Sequence, residues 1–398
     1  MFLSLSLIFL VGLSLASICE KIRLPRIVGM IATGIMLGPY VLDLLDTKIL
    51  GISSELREMA LIIILIKAGL SLNLSDLKKV GRPAVLMSFL PASFEILGYV
   101  LFAPLVLGVS RIEAAVIGAV LGAVSPAVVV PRMLNLMKEK YGTQKSIPQL
   151  IMAGASCDDI FVIVLFTAFV SMAKGGKVKL LDFFNIPVSI LLGVAVGAVF
   201  GCILRIFFEK VFSHGNTIQS VEKVIIILGI SFLLIFIENW VKKWVAMSGL
   251  LAVVGMACVL KIKSPESEIE NLSEKFGNLW LAAELLLFVL VGAAVDIRYT
   301  LSAGISAVGM VFIALIFRAV GVMICLIKTP LSIKERIFCI IAYLPKATVQ
   351  AAIGSVPLSM GLSCGKIVLT VAVLGILITA PLGAFLIDLS YKKLLIKN

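Results

Sequence analysis

The sequence predicts an all-α membrane fold: thirteen transmembrane helices in two inverted six-helix repeats, with broken crossing helices in the fifth and twelfth positions. Three observations predict it. Of 398 residues, 61% are hydrophobic and 15% charged, whereas about a quarter of a soluble domain is charged. Apolar windows of about 20 residues, the length that crosses a bilayer, recur along the whole chain. Two of those windows are interrupted by proline at corresponding places in the two halves.

The windows fall near 2–19, 27–43, 59–75, 84–108, 112–134, 149–172, 186–208, 221–240, 244–261, 278–296, 300–327, 333–357 and 365–388. The first has no basic residue ahead of it, so it reads as a retained helix and not a cleaved signal. Short polar loops join the windows. The longest, 262–277, is acidic and reads as a solvated loop or a surface helix. Lys and Arg in loops after odd-numbered windows and in the C-terminal tail outnumber those after even-numbered windows by about two to one. That places the N-terminus outside and the C-terminus in the cytoplasm of a multi-pass protein of the inner (plasma) membrane.

The fifth window, IEAAVIGAVLGAVSPAVVVPRML, is interrupted at Ser125–Pro126 and again at Pro131. The twelfth, RIFCIIAYLPKATVQAAIGSVPLSMG, is interrupted at Pro345, with Gly354 and Pro357 beyond. Each is fifth in its half once the odd window 186–208 is set aside. Matched broken segments point to an inverted-repeat transporter with its site at the breaks.

Composition also excludes function classes. A net charge of +12 on a chain of mean hydropathy +1.15 speaks to topology and anionic lipid, not to nucleic acid. Seven cysteines are scattered without a CxxC pair, so neither a disulfide framework nor a zinc site is indicated. The single histidine, His214, lies in a polar loop and is a poor candidate for catalysis or metal binding.

Chemistry concentrates in the sixth window. GASCDDIFVIVLFTAFV carries Asp158 and Asp159 side by side within an apolar run. A carboxylate inside a membrane segment is expensive and usually handles an ion or a proton. The other ionisable residues deep in apolar runs are Lys67, Glu95, Glu284, Arg318 and Lys346. Glu95 and Arg318 occupy the fourth window of each half, and a structural salt bridge between them is expected, because an unpaired buried charge is costly. Arg318 paired with Asp158 and released on cation binding is the competing arrangement. Lys346, next to Pro345, is placed to neutralise carbonyls exposed where half-helices end, and Ser125 offers a hydroxyl at the partner break. Glu284 is expected opposite Lys67. Gly193, Gly197 and Gly201 give a small-xxx-small face suited to close helix contact.

With these residues in view, the chain resembles the cation:proton antiporter superfamily, and within it bacterial sodium–proton antiporters related to the animal NHA-type exchangers. ICEKIRLPRIVGMIATGIMLGP is similar to that superfamily's second helix, GAVSPAVVVPRM to its broken fifth and GASCDDI to its paired-acid sixth. LFVLVGAAVD and YLPKATVQAAIG resemble its tenth and twelfth. The resemblance implies a homodimer whose protomer has dimer-domain helices in 1–75 and 221–296, core helices in 84–172 and 300–388, and a linker helix at 186–208. It implies exchange of Na⁺ or Li⁺ for H⁺, with Asp159 the principal ion and proton ligand and Asp158 assisting, and neither cofactor nor enzyme chemistry. Many members have an acid where this chain has Ser125, and a lysine where it has Arg318. A K⁺/H⁺ antiporter of the same fold and a sodium-coupled organic-anion symporter are the remaining readings. An intramembrane aspartyl protease is disfavoured, because its acids lie on two helices, one in a Gly-x-Gly-Asp setting absent here.

Overall fold

The computed structural model describes residues 1–22, 24–71, 80–174, 180–212, 220–241 and 247–397. His214 and the end of the window 59–75 lie outside the described residues. Every regular element among those described is helical; one isolated bridge, Tyr141 to Lys397, is the sole extended pairing among them.

The helices run α1 Phe2–Lys21, α2 Arg26–Leu37, α3 Thr47–Gly51, α4 Ser53–Ser71, α5 Arg82–Met87, α6 Leu90–Leu107, α7 Arg111–Leu121, α8 Pro126–Lys138 and α9 Ile147–Lys174. They continue with α10 Leu180–Phe212, α11 Ser220–Val241, α12 Gly249–Lys263, α13 Glu266–Ala293, α14 Ile297–Cys325 and α15 Ile333–Ala342. The last three are α16 Thr348–Gly354, α17 Val356–Ser359 and α18 Gly365–Leu394. Eight spans among the described residues are long and apolar enough to cross a membrane, among them Arg111–Lys138, Ile147–Lys174 and Gly365–Leu394.

Two expectations change. Of the two readings of the acidic stretch 262–277, the helical one holds, but not as a separate surface helix: from Glu266 it forms the first turns of α13, where Glu266 and Glu268 lie at the positive end of the helix dipole. Pro131 does not interrupt the chain either. It lies within α8, which continues to Lys138 although a proline there cannot donate to the carbonyl four residues back.

The broken windows share a design at their outer ends. Ser110 and Glu113 form a capping box that starts α7, and Ser332 and Glu335 form one that starts α15. In each, the serine hydroxyl accepts from the glutamate's backbone N–H while the glutamate takes the serine's N–H, which satisfies orphan donors reciprocally. Glu113 also accepts from the Ser363 hydroxyl at 2.6 Å, and Glu335 from the Lys145 ammonium at 2.8 Å.

The chain divides into two compact units. One comprises Met1–Arg57, Asn73–Lys174 and Leu285–Asn398. Within it α14 lies along α6, α6 along α7, and α7 against α9, while α18 packs on α14, α15 and α16. α1 packs on α2, and α2 meets the end of α13 so closely that a β-carbon at Gly34 would lie 1.9 Å from the Val289 carbonyl oxygen. Backbone cannot retreat as a flexible side chain can. Gly34→Val is therefore expected to lower the thermal midpoint of the detergent-solubilised protein, costing about 3 kcal/mol; a midpoint equal to the parent's would show that this contact is not made.

The other unit comprises Glu58–Leu72 and Gly175–Glu284. Here α10 packs on α12 through the small-residue face. Added β-carbons at Gly193 and Gly197 would come within 2.5 and 2.1 Å of the Ser248 and Ala252 carbonyl oxygens. Lys67 lies within electrostatic reach of Glu284. Glu268 receives both Lys223 and Arg205, the latter at 3.6 Å.

Candidate ion-exchange site

The site lies in the first unit, where the two broken helices touch. α7 ends at Leu121 and α8 begins at Pro126, with Ser125 as its N-cap residue. α15 ends at Ala342 and α16 begins at Thr348. Each gap exposes carbonyls from the preceding helix and N–H groups from the following one, since helix termini leave backbone groups without intrahelical partners. Some satisfy each other across the gap. Ser125 N–H donates to the Pro345 carbonyl at 2.8 Å, and the Gln350 side-chain amide donates to the Ala123 carbonyl at 2.8 Å. Gln350 also accepts from Ala347 N–H at 2.8 Å.

Asp158 faces the first gap from α9. Its Oδ2 accepts from Val124 N–H at 2.9 Å and from Arg318 Nη2 at 3.0 Å. The guanidinium binds four groups. Nη1 donates to Glu95 Oε2 at 2.7 Å and to the Gly122 carbonyl, and Nε donates to the Tyr343 carbonyl at 2.6 Å. Arg318 thus holds both carboxylates at once and also takes a carbonyl from the end of each first half-helix. Its planar fork allows this, whereas a point-charge ammonium would not.

Lys346 sits in the second gap, but its ammonium turns to Glu95 Oε2 at 2.5 Å. The gap carbonyls expected to attract it are occupied by Arg318, and the carboxylate is the stronger acceptor. Its backbone N–H donates to the Thr379 hydroxyl at 2.9 Å. Ser125, Asp158 and Lys346 are 0% exposed, Glu95 and Arg318 1%, and Asp159 5%.

Three oxygens here have no hydrogen-bond partner among the described residues: Ser125 Oγ, Asp158 Oδ1 and Asp159 Oδ1. Asp159 accepts no hydrogen bond at all among them, although it is buried beside Asp158. Buried polar groups are nearly always satisfied. Unsatisfied oxygens at a helix break and on the acid pair that faces it suit a ligand that supplies positive charge to oxygen, such as a hard cation or a proton. The sequence pointed to Asp158, Asp159, Glu95, Arg318, Lys346 and Ser125. It did not point to the Val124 N–H, the Gly122 and Tyr343 carbonyls or Thr379. Gln350, a lone amide in an apolar run, stands out in the sequence by the same criterion as the buried charges.

The profile of the family described as sodium/hydrogen exchanger, transmembrane, matches residues 5–388. The chain belongs to that family. Sodium/hydrogen exchanger 9B2 of Homo sapiens is 36% identical over 391 residues, covering 94% of this chain and 70% of its own length. Human sodium/hydrogen exchanger 9B1 is 30% identical over 391 residues, covering 94% and 73%. The fold is also that of the sodium proton antiporter MjNhaP1 from Methanocaldococcus jannaschii, with a TM-score of 0.83 at 20% identity over 98% of this chain and 97% of that one. This sodium/hydrogen exchanger is accordingly a membrane-embedded ion transporter and not an enzyme.

Proposed function

We propose that this protein exchanges Na⁺ or Li⁺ for H⁺ by alternating access, with proton and cation competing at Asp158 and Asp159, Asp159 being the principal ligand. The observation that carries this reading is the group of unsatisfied buried oxygens on Ser125, Asp158 and Asp159. An empty site of that kind holds uncompensated negative charge in a low-dielectric interior, so it is costly to carry across the membrane. Filled by one cation or one proton, it crosses more readily. Burial favours the proton and the acceptor geometry favours the metal ion; exchange requires that neither wins outright.

All six site residues fall within 84–172 and 300–388, which supports a core made of those stretches that carries the site. In this reading 1–75 and 221–296 form the dimer domain, 186–208 links the two, and two protomers associate through the dimer domain. Matching capping boxes at Ser110 and Ser332, with a break following each, support two inverted repeats within thirteen transmembrane helices. The membrane is the inner (plasma) membrane, with the N-terminus outside and the C-terminus in the cytoplasm.

The charge inventory argues for stoichiometry. Three carboxylates (Glu95, Asp158 and Asp159) face two cations (Arg318 and Lys346), all buried. Lys346 is held by Glu95, so a cation arriving at the aspartates has no ammonium to expel from them. One uncompensated charge then takes one Na⁺ or one H⁺, and exchange is electroneutral. In proteoliposomes, Na⁺-driven proton movement is expected to run at the same rate with and without an imposed potassium-diffusion potential. A rate that follows the potential would overturn the one-for-one count. Absence of Na⁺- or Li⁺-driven proton movement in an active preparation would overturn the exchange itself.

A further inference from the structure

Tyr343 is the C-cap residue of α15, at the break. Its carbonyl takes the Arg318 Nε–H, its ring lies 5.5 Å from the guanidinium carbon, and the residue is 0% exposed. The hydroxyl is the unexplained part. The residue belongs to a buried cluster that includes Met87, Ile151, Cys325 and Cys339, and the hydroxyl has no hydrogen-bond partner among the described residues. A phenylalanine would fill the same space without burying an unsatisfied hydroxyl, which costs the full desolvation of that group.

The position of that hydroxyl suggests its use. A β-carbon at Gly154 would lie 1.9 Å from it, so the oxygen occupies the very space that a side chain on α9 would take. Gly154 and Asp158 are four residues apart and share one face of α9, about 6 Å apart along its axis. Asp158 Oδ1 also lacks a partner. One unsatisfied oxygen is thus set against Gly154, and another is carried by the residue one helical turn further along α9. They suit an ion that retains part of its water.

We propose that the Tyr343 hydroxyl is a further ligand of the transported cation, accepting a hydrogen bond from water in the cation's shell as it moves along α9 between Gly154 and the aspartates. The proposal rests on Asp158–Asp159 being the cation site. No proton is transferred; the phenol gains a hydrogen bond while the cation is present. Glycine at 154 is what leaves room for it.

Tyr343→Phe keeps the ring on Arg318 and removes only the oxygen. Measured on the full chain in proteoliposomes, the Na⁺ concentration for half-maximal exchange is expected to rise about three- to tenfold, with the maximal rate within about twofold of the parent. The Na⁺ concentration that raises the thermal midpoint should move by the same factor. Half-saturation equal to the parent's would overturn the proposal, because a purely structural ring leaves that value unmoved. If the variant does not fold, 3-fluorotyrosine at 343 keeps the shape but weakens the acceptor, and a rise in half-saturation is again expected. A parent-like value there would overturn the proposal equally. Asp159→Asn separates the two levels: loss of exchange in that variant beside a parent-like Tyr343→Phe removes only the role of Tyr343, whereas exchange retained in Asp159→Asn removes the cation site beneath it.

Discussion

Asp159→Asn is expected to reduce Na⁺-driven proton exchange in proteoliposomes by about two orders of magnitude, equivalent to about 2.8 kcal/mol, while leaving the protein folded. Asp159 is buried yet accepts no hydrogen bond among the described residues. An ionised carboxylate there is therefore costly, and neutralising it removes that cost. The thermal midpoint in the absence of Na⁺ should equal or exceed the parent's, and the rise in midpoint on adding Na⁺ should vanish. Asp158→Asn should behave differently. That carboxylate is held by Val124 N–H and Arg318, so its replacement loosens the break as well as the site and lowers the midpoint. Exchange retained in Asp159→Asn would refute the ligand assignment.

The second large effect is structural. Arg318→Met should destabilise the protein by about 3–5 kcal/mol, the usual consequence of removing one partner from a buried ion pair. The loss exceeds a single pair. Glu95 and Asp158 each lose a counter-charge, and the Gly122 and Tyr343 carbonyls lose their donor. Arg318→Lys restores the charge but cannot reach four acceptors, so its midpoint should fall between those of Met and the parent. Thermal unfolding of the purified protein, followed by size exclusion, decides the order. A Met variant as stable as the parent would mean that the guanidinium network does not hold the breaks together.

Much of this arrangement was legible in the chain because lipid makes errors expensive. An Asp pair, a Glu, an Arg and a Lys within apolar runs stand out for the same physical reason that they matter. The breaks were legible because proline removes a donor and glycine a side chain. The partition of Arg318 was not. The two pairings, to Glu95 and to Asp158, looked like alternatives because a sequence shows one side chain at a time, while a guanidinium has five donors and serves both. The direction of Lys346 was misjudged for a related reason: the carbonyls that would have drawn it are held by a residue in another helix. The first turns of α13 were hidden because Glu266, Glu268 and Glu270 read as solvent-facing, and hydropathy cannot tell a loop from the polar end of a long helix. Tyr343 gave no signal at all, since an aromatic residue in an apolar run is ordinary packing until its hydroxyl is found without a partner.

The junction of α7–α8 with α15–α16 is built largely from peptide groups: Ser125 N–H on the Pro345 oxygen, Val124 N–H on Asp158, and the Gly122 and Tyr343 oxygens on Arg318. Alanine scanning therefore passes over much of what 122–125 and 343–345 contribute, because replacing a side chain leaves its amide in place. Chemistry that edits the amide itself, such as an ester in place of the Val124 or Ser125 peptide nitrogen, would expose dependence that a conventional mutant library scores as tolerance.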